Sequence, residues 1–156
     1  GRVTQNPDEA GHMMKGLDFS GATHQDIRGA TQHLLKTSAK VAVMGFCMGG
    51  ALTLASAVHV PECSAGICFY GIPPNEFASP KDIRVPFQGH FANQDDWCTP
   101  AAVDELENTL QQTKKLHNIF RYDAAHAFFN EQSDAYNVAA QRDAWARVTN
   151  FLEKNL

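Results

Sequence analysis

The sequence predicts an α/β protein, a mainly parallel sheet flanked by helices. Three observations carry this: four short apolar runs recur along the chain, helical patterns lie between them, and turn-forming residues punctuate the junctions. Regular alternation of strand and helix is the signature of βαβ units joined by right-handed crossovers.

A helix over residues 24–35 is expected to precede the first apolar run, VAVMGF (41–46). The second run is AGICFYGI (65–72), the third VPFQGHFA (85–92) and the fourth HNIFRYDA (117–124). The first two are nearly continuous in apolar character, as expected of strands covered on both faces. Further helices are expected over 50–58, 101–115 and from about 136 to 156. Thr99 and Pro100 supply an N-cap side chain and a first-turn proline for the second of these, and Asp104 and Glu105 add negative charge near its N-terminus. The last is amphipathic, with Val138, Trp145, Val148 and Leu152 on or near one stripe that should dock on the sheet. The proline-punctuated stretch 72–80 reads as a loop rather than a linker, so residues 1–156 are expected to form a single domain.

With 156 residues, 44% hydrophobic and 19% charged, the composition is that of a globular chain and not of a disordered one. The net charge of −4 and the absence of any basic run argue against nucleic acid and anionic membranes as partners. No apolar run approaches the roughly 20 residues needed to span a bilayer. The N-terminus lacks the pattern of a secretory leader, which makes the cytoplasm the expected location. Cys47, Cys63, Cys68 and Cys98 match neither a disulfide scaffold nor a zinc module, so reduced thiols and no metal site are expected.

The most specific feature is Gly45-Phe46-Cys47-Met48-Gly49-Gly50, between the first run and the helix that follows it. A nucleophile elbow requires a strained strand–turn–helix with small residues on either side, because strand and helix pass close together. Here Gly45 and Gly49 hold those positions and Cys replaces the usual Ser. A cysteine at a helix N-terminus is favoured as thiolate by the helix dipole, and the backbone N–H of Met48 would face a developing oxyanion. Glycines at such a place also serve tight packing or phosphate binding. Asp95 follows the third run directly, with Asp96 as its possible substitute, and His126 follows the fourth. Strand C-termini are where open α/β sheets place their sites. Of the seven histidines, His126 stands out by position and His90 is its nearest rival. Nucleophile, acid and histidine thus follow in the order Cys47, Asp95, His126.

GFCMGG, ANQDDWCTP and DAAHAFFN, taken in that order, resemble the dienelactone hydrolase (carboxymethylenebutenolidase) family of the α/β-hydrolase superfamily. The lead-in AGHMMKGLDFSGATHQDIRGATQHLL and the FYGI segment are similar as well. The resemblance implies Cys47 as nucleophile, Asp95 as triad acid and His126 as base. It further implies hydrolysis of an ester or enol-lactone through a thioester acyl-enzyme, with a small-molecule substrate and neither metal nor organic cofactor. Against that family's pattern, the sequence corresponds to the C-terminal two-thirds of the fold and lacks its N-terminal strands, including the loop that supplies a second oxyanion donor. A homodimer or a companion N-terminal segment is therefore expected to cover the open sheet edge. Where the family carries an arginine shortly after the histidine, this chain reads AFFNE, which makes dienelactone itself a doubtful substrate. Tyr70, Trp97 and Phe128 are candidates for apolar walls of a substrate pocket.

Two other readings remain open at this level. A catalytically silent fragment or binding module follows if the missing donor is not replaced, since losing one such donor costs about 3–4 kcal/mol of transition-state stabilisation. Redox sensing by Cys47 would need a resolving thiol nearby in space.

Overall fold

A computed structural model of the chain describes residues 3, 4, 6–113 and 116–156. Four strands, β1 (Ala42–Phe46), β2 (Ala65–Phe69), β3 (Phe87–Gln94) and β4 (His117–Ala125), form one parallel sheet in sequence order β1-β2-β3-β4. All four predicted strands are present, each shifted by no more than three residues at either end.

Alternating side chains on these strands serve two separate apolar layers, as the period of two dictates. Cys68, Phe87 and Phe91 pack against α4 (Met48–His59) and α5 (Pro100–Gln111), where Leu54, Val58, Val103, Leu106 and Leu110 are buried. On the opposite face Ile67, Phe69, Tyr122 and Ala124 meet α6 (Val138–Asn155) through Ala140, Ala144, Val148 and Phe151. Each fully buried Leu, Ile or Phe contributes about 1.5–3 kcal/mol by leaving water. Thr99 caps α5 by accepting from the Ala102 N–H, with Pro100 in its first turn. Of the predicted 101–115 helix, Lys114 and Lys115 lie outside the described residues.

The structure corrects several expectations. Val138 and Trp145 are about half exposed, so the docking stripe of α6 is the small-residue row Ala140, Ala144, Val148. Alanines let the helix approach the aromatic side chains of β2 to β4, and larger residues in that row would hold it off. β2 is buried throughout, but among the described residues β1 pairs only with β2 and leaves Met44 and Phe46 more than a third exposed. It is an edge strand. The upstream helix begins earlier than expected, as α2 (Phe19–Gly21), a π-helical stretch Ala22–Ile27 and α3 (Arg28–Leu34). One further helix, α1 (Pro7–Lys15), is capped by the Asn6 side chain, which accepts from the N–H groups of Asp8 and Glu9. Asn6-Pro7 is a helix-start signal that was available in the sequence.

Candidate active site

Each of the four strands delivers one residue of the site immediately after its last position: Cys47 after β1, Tyr70 after β2, Asp95 after β3 and His126 after β4. This is the crevice at the carboxyl ends of the strands where parallel sheets present their sites.

Cys47 has φ 54° and ψ −119°, a conformation an L side chain adopts only where its surroundings enforce it. Its N–H donates to the Phe69 carbonyl at 3.0 Å, and its carbonyl accepts from the N–H groups of Gly50 and Ala51, so the turn is tied at both ends. A Cβ on Gly45 would collide with the Gly49 carbonyl, and one on Gly50 with the Phe69 carbonyl. Gly49 itself has open space where a Cβ would go. The close passage therefore requires Gly45 and Gly50, rather than Gly45 and Gly49.

His126 joins the other two residues. Its Nε2 lies 3.2 Å from the Cys47 Sγ and its Nδ1 lies 2.7 Å from Asp95 Oδ2. The other carboxylate oxygen, Oδ1, accepts from the backbone N–H groups of Trp97 at 2.8 Å and Cys98 at 2.9 Å. Asp95 is thus buried with its orientation fixed by its own loop, while Asp96 is exposed. The hydrogen bond from His126 holds the Cys47 thiol below its ordinary value against the opposing effect of burial, helped by the imidazolium charge and the Met48 N–H. His126 is raised to about 8, first by its hydrogen bond with Cys47 and then by Asp95. Burial pushes the thiols of Cys63 and Cys68 up, and that of Cys98 up to about 12.

Cys47 opens onto two apolar cavities. One, of about 410 Å³, is walled by Leu17, Phe19, Met48, Ile72, Trp97 and His126, with Tyr70 at its side. The other, of about 420 Å³, is formed by Phe46, Tyr70, Ala127, Phe129 and Asn130. Tyr70 and Trp97 therefore stand where the sequence suggested. Phe128 does not: it is fully buried against Phe69, Tyr70 and Tyr122, and its neighbour Phe129 faces the cavity instead. His90 lies inside the sheet, bonded to Gln88 and Tyr122, away from both cavities. The wall contributed by Met14, Leu17 and Phe19 was missed, because nothing in the sequence says that this segment returns to the strand ends. Among the described residues, no group of three or more His, Cys, Asp or Glu side chains is placed to hold a metal ion. No helix among them is long and apolar enough to cross a membrane.

Comparison with known proteins gives the family and the fold. The model of the dienelactone hydrolase family matches residues 1–156. A protein of Saccharolobus solfataricus whose name proposes a carboxymethylenebutenolidase is 36% identical over 115 residues, covering 74% of this chain and 44% of its own length. Protein usf of Aquifex pyrophilus is 28% identical over 165 residues, covering all of this chain and 71% of its own. Among solved structures, one from Klebsiella pneumoniae proposed to be a dienelactone hydrolase superposes with a TM-score of 0.83 at 20% identity, over 96% of this chain and 67% of that one. The dienelactone hydrolase-like promiscuous phosphotriesterase P91, from metagenomic libraries, gives 0.69 at 21% identity, over 86% and 64%. These two likenesses are of fold. The chain spans less than half the length of the Saccharolobus relative. Matched by the family's model from its first residue to its last, the chain belongs to the dienelactone hydrolase family.

Proposed function

We propose that this chain carries the chemistry of a hydrolase that cleaves a carboxylic ester or enol-lactone through a Cys47 thioester. The observation that carries the reading is the unbroken line from Cys47 Sγ through the His126 ring to Asp95 Oδ2, with bonds of 3.2 and 2.7 Å. Family membership supports the reaction class.

In the first half-reaction His126 Nε2 takes the Cys47 proton, and its Nδ1–H donates to Asp95, which keeps the ring in the orientation and tautomer required. The thiolate attacks the carbonyl carbon, and the oxyanion is met by the Met48 N–H at the start of α4. As the tetrahedral intermediate collapses, Nε2 returns the proton to the departing alkoxide oxygen, leaving the acyl group on Cys47. His126 then takes a proton from water, hydroxide adds to the thioester, and the acid departs as Cys47 regains its proton. A raised His126 and a lowered Cys47 favour the thiolate–imidazolium pair at neutral pH. The presence of Asn130, with no arginine, in the stretch after His126 favours esters other than dienelactone itself, and Lys15 is the cation that lines the first cavity.

The test is hydrolysis of 4-nitrophenyl acetate together with peptide mapping of thiol alkylation at neutral pH. Cys47→Ala is expected to lose at least about 10³-fold in turnover. Iodoacetamide should modify Cys47 well ahead of Cys63, Cys68 and Cys98, and His126→Ala should slow that labelling. Turnover retained by Cys47→Ala, or equal slow labelling of all four thiols, overturns the reading.

A further inference from the structure

We propose that Trp97 is a positioning residue of this site, its indole face holding the His126 ring in line with Cys47 and Asp95 and favouring its protonated form. The inference rests on the roles given above to Cys47 and His126.

Trp97 is 68% exposed, on a polar loop, and its placement has no explanation in core packing. A large apolar ring left in water gains little from burial where it stands. Among the described residues its one ring neighbour is His126, at 5.9 Å between centroids with the planes 28° apart. That is within the range over which an aromatic face attracts a cation. A second ring contact to the imidazole comes from Tyr70, whose ring meets it edge-on at 4.9 Å and 60°. His126 thus has two aromatic side chains against its ring while its two nitrogens are engaged by Cys47 and Asp95. Its side chain is 23% exposed, so water still reaches part of the ring.

The loop does not depend on the indole for its shape. It is fixed by the Trp97 and Cys98 backbone N–H groups on Asp95 Oδ1, bonds that any residue at position 97 other than proline can make. Side chain and backbone at this position therefore act separately: the backbone orients Asp95 and the side chain orients His126. The titratable and charged groups that face His126 are Cys47 at the start of α4, Asp95 after β3 and Tyr70 after β2, and Lys15 of α1 lines the same cavity. None of them is altered by a change of the indole.

A cation–π contact stabilises both microstates in which His126 is protonated, whether Cys47 is thiol or thiolate. Removing it should lower the pH at which the imidazolium gives up its proton and leave unchanged the pH at which Cys47 becomes thiolate beside it. General loosening of the site would instead move both. The experiment is NMR titration of His126 in the full chain, its signal assigned by its loss in His126→Ala, alongside the pH dependence of iodoacetamide labelling of Cys47. Trp97→Leu keeps an apolar wall without a π face, and Trp97→Phe keeps a smaller one. Trp97→Leu is expected to lower the His126 midpoint by about half a pH unit, equivalent to about a threefold change in proton affinity, with Trp97→Phe in between. The onset of Cys47 labelling should stay in place. Unchanged His126 midpoints in both variants overturn the proposal, as does an equal shift of the Cys47 onset. Activity retained by Cys47→Ala would instead remove the hydrolase reading, while the His126 titration would still report whether the indole holds the ring.

Discussion

His90 and His126 lie on neighbouring strands of one sheet and both sit among aromatic rings, yet they are held in opposite states. His90 is in the middle of β3, stacked on Phe69 at 4.5 Å and bonded to the Tyr122 hydroxyl and the Gln88 side-chain oxygen, both neutral. Burial, reinforced by the charge of Arg147, pushes it down to about 3. His126 stands just past the end of β4, bonded to a thiol and a carboxylate, and is raised to about 8. Aromatic company is common to both. What separates them is depth and the hydrogen-bond partners: burial with neutral partners lowers the one ring's proton affinity, and bonds to Cys47 and to the Asp95 carboxylate raise the other's. The sheet interior lowers a histidine's proton affinity, and the carboxyl edge raises it, as the proposed role of His126 requires.

Removing the charge that distinguishes the two is expected to have the largest effect. In Asp95→Asn the Trp97 and Cys98 N–H groups can still be accepted by the amide oxygen, which turns the amide nitrogen towards His126 Nδ1. Nδ1 must then accept, which leaves the proton on Nε2 and unfit to receive one from Cys47. Ester turnover should fall on the order of 10³- to 10⁴-fold with the thermal midpoint little changed. Undiminished turnover would show that partner charge is not what separates the two histidines.

The complementary experiment removes the interior ring. His90→Ala leaves a cavity beneath Phe69 and strips the Gln88 and Tyr122 side chains of a buried partner, which should cost about 2–4 kcal/mol in denaturant unfolding. The reactivity of Cys47 per folded molecule should be preserved. A comparable loss of Cys47 reactivity would mean that the interior and the edge are coupled through Phe69 and Tyr70 and cannot be compared as independent regions.

Much of this division is legible in the sequence, and the exceptions have physical reasons. Asp95 and His126 stood out because each directly follows an apolar run that makes a strand, and Cys47 because glycines flank it in GFCMGG, although the close contact falls on Gly50 rather than on Gly49. Asp95 could not be separated from Asp96 without knowing the loop, since the choice depends on which carboxylate folds back onto the N–H groups of Trp97 and Cys98. Phe128 was misplaced because the turn after His126 passes through Ala127 at φ 65°, which breaks the alternation that would carry across a strand. β1 reads as a covered strand because its composition is apolar, but burial depends on a neighbour, and here only β2 provides one. Val138 and Trp145 lie on an apolar stripe of α6, yet the face that meets the sheet is the one carrying Ala140, Ala144, Val148 and Phe151, which leaves those two about half exposed.

The pH dependence of stability, the effect that is smallest over any one pH unit, sharpens the comparison most, because its sign differs for the two rings. In the unfolded chain a histidine takes up a proton near pH 6.5, whereas folded His90 stays neutral down to about 3. Between these values the unfolded state holds one proton more, so folding stability falls as the pH falls, by up to about 1.4 kcal/mol per pH unit. For His126 the sign is reversed: its contribution is complete below pH 6.5 and is lost as the pH rises through about 8, offset in part by the earlier ionisation of Cys47. Carboxylates and Cys47 also contribute to acid unfolding, so the term for His90 is read from the difference between the wild type and His90→Gln, which keeps a neutral side chain able to bond Gln88 or Tyr122. Urea unfolding at several pH values between 6.5 and 4 should show the wild type losing stability more steeply than the variant. Parallel curves would mean that His90 takes up its proton in the folded state as readily as in the unfolded one, and the distinction between an interior and an edge histidine would then rest on His126 alone.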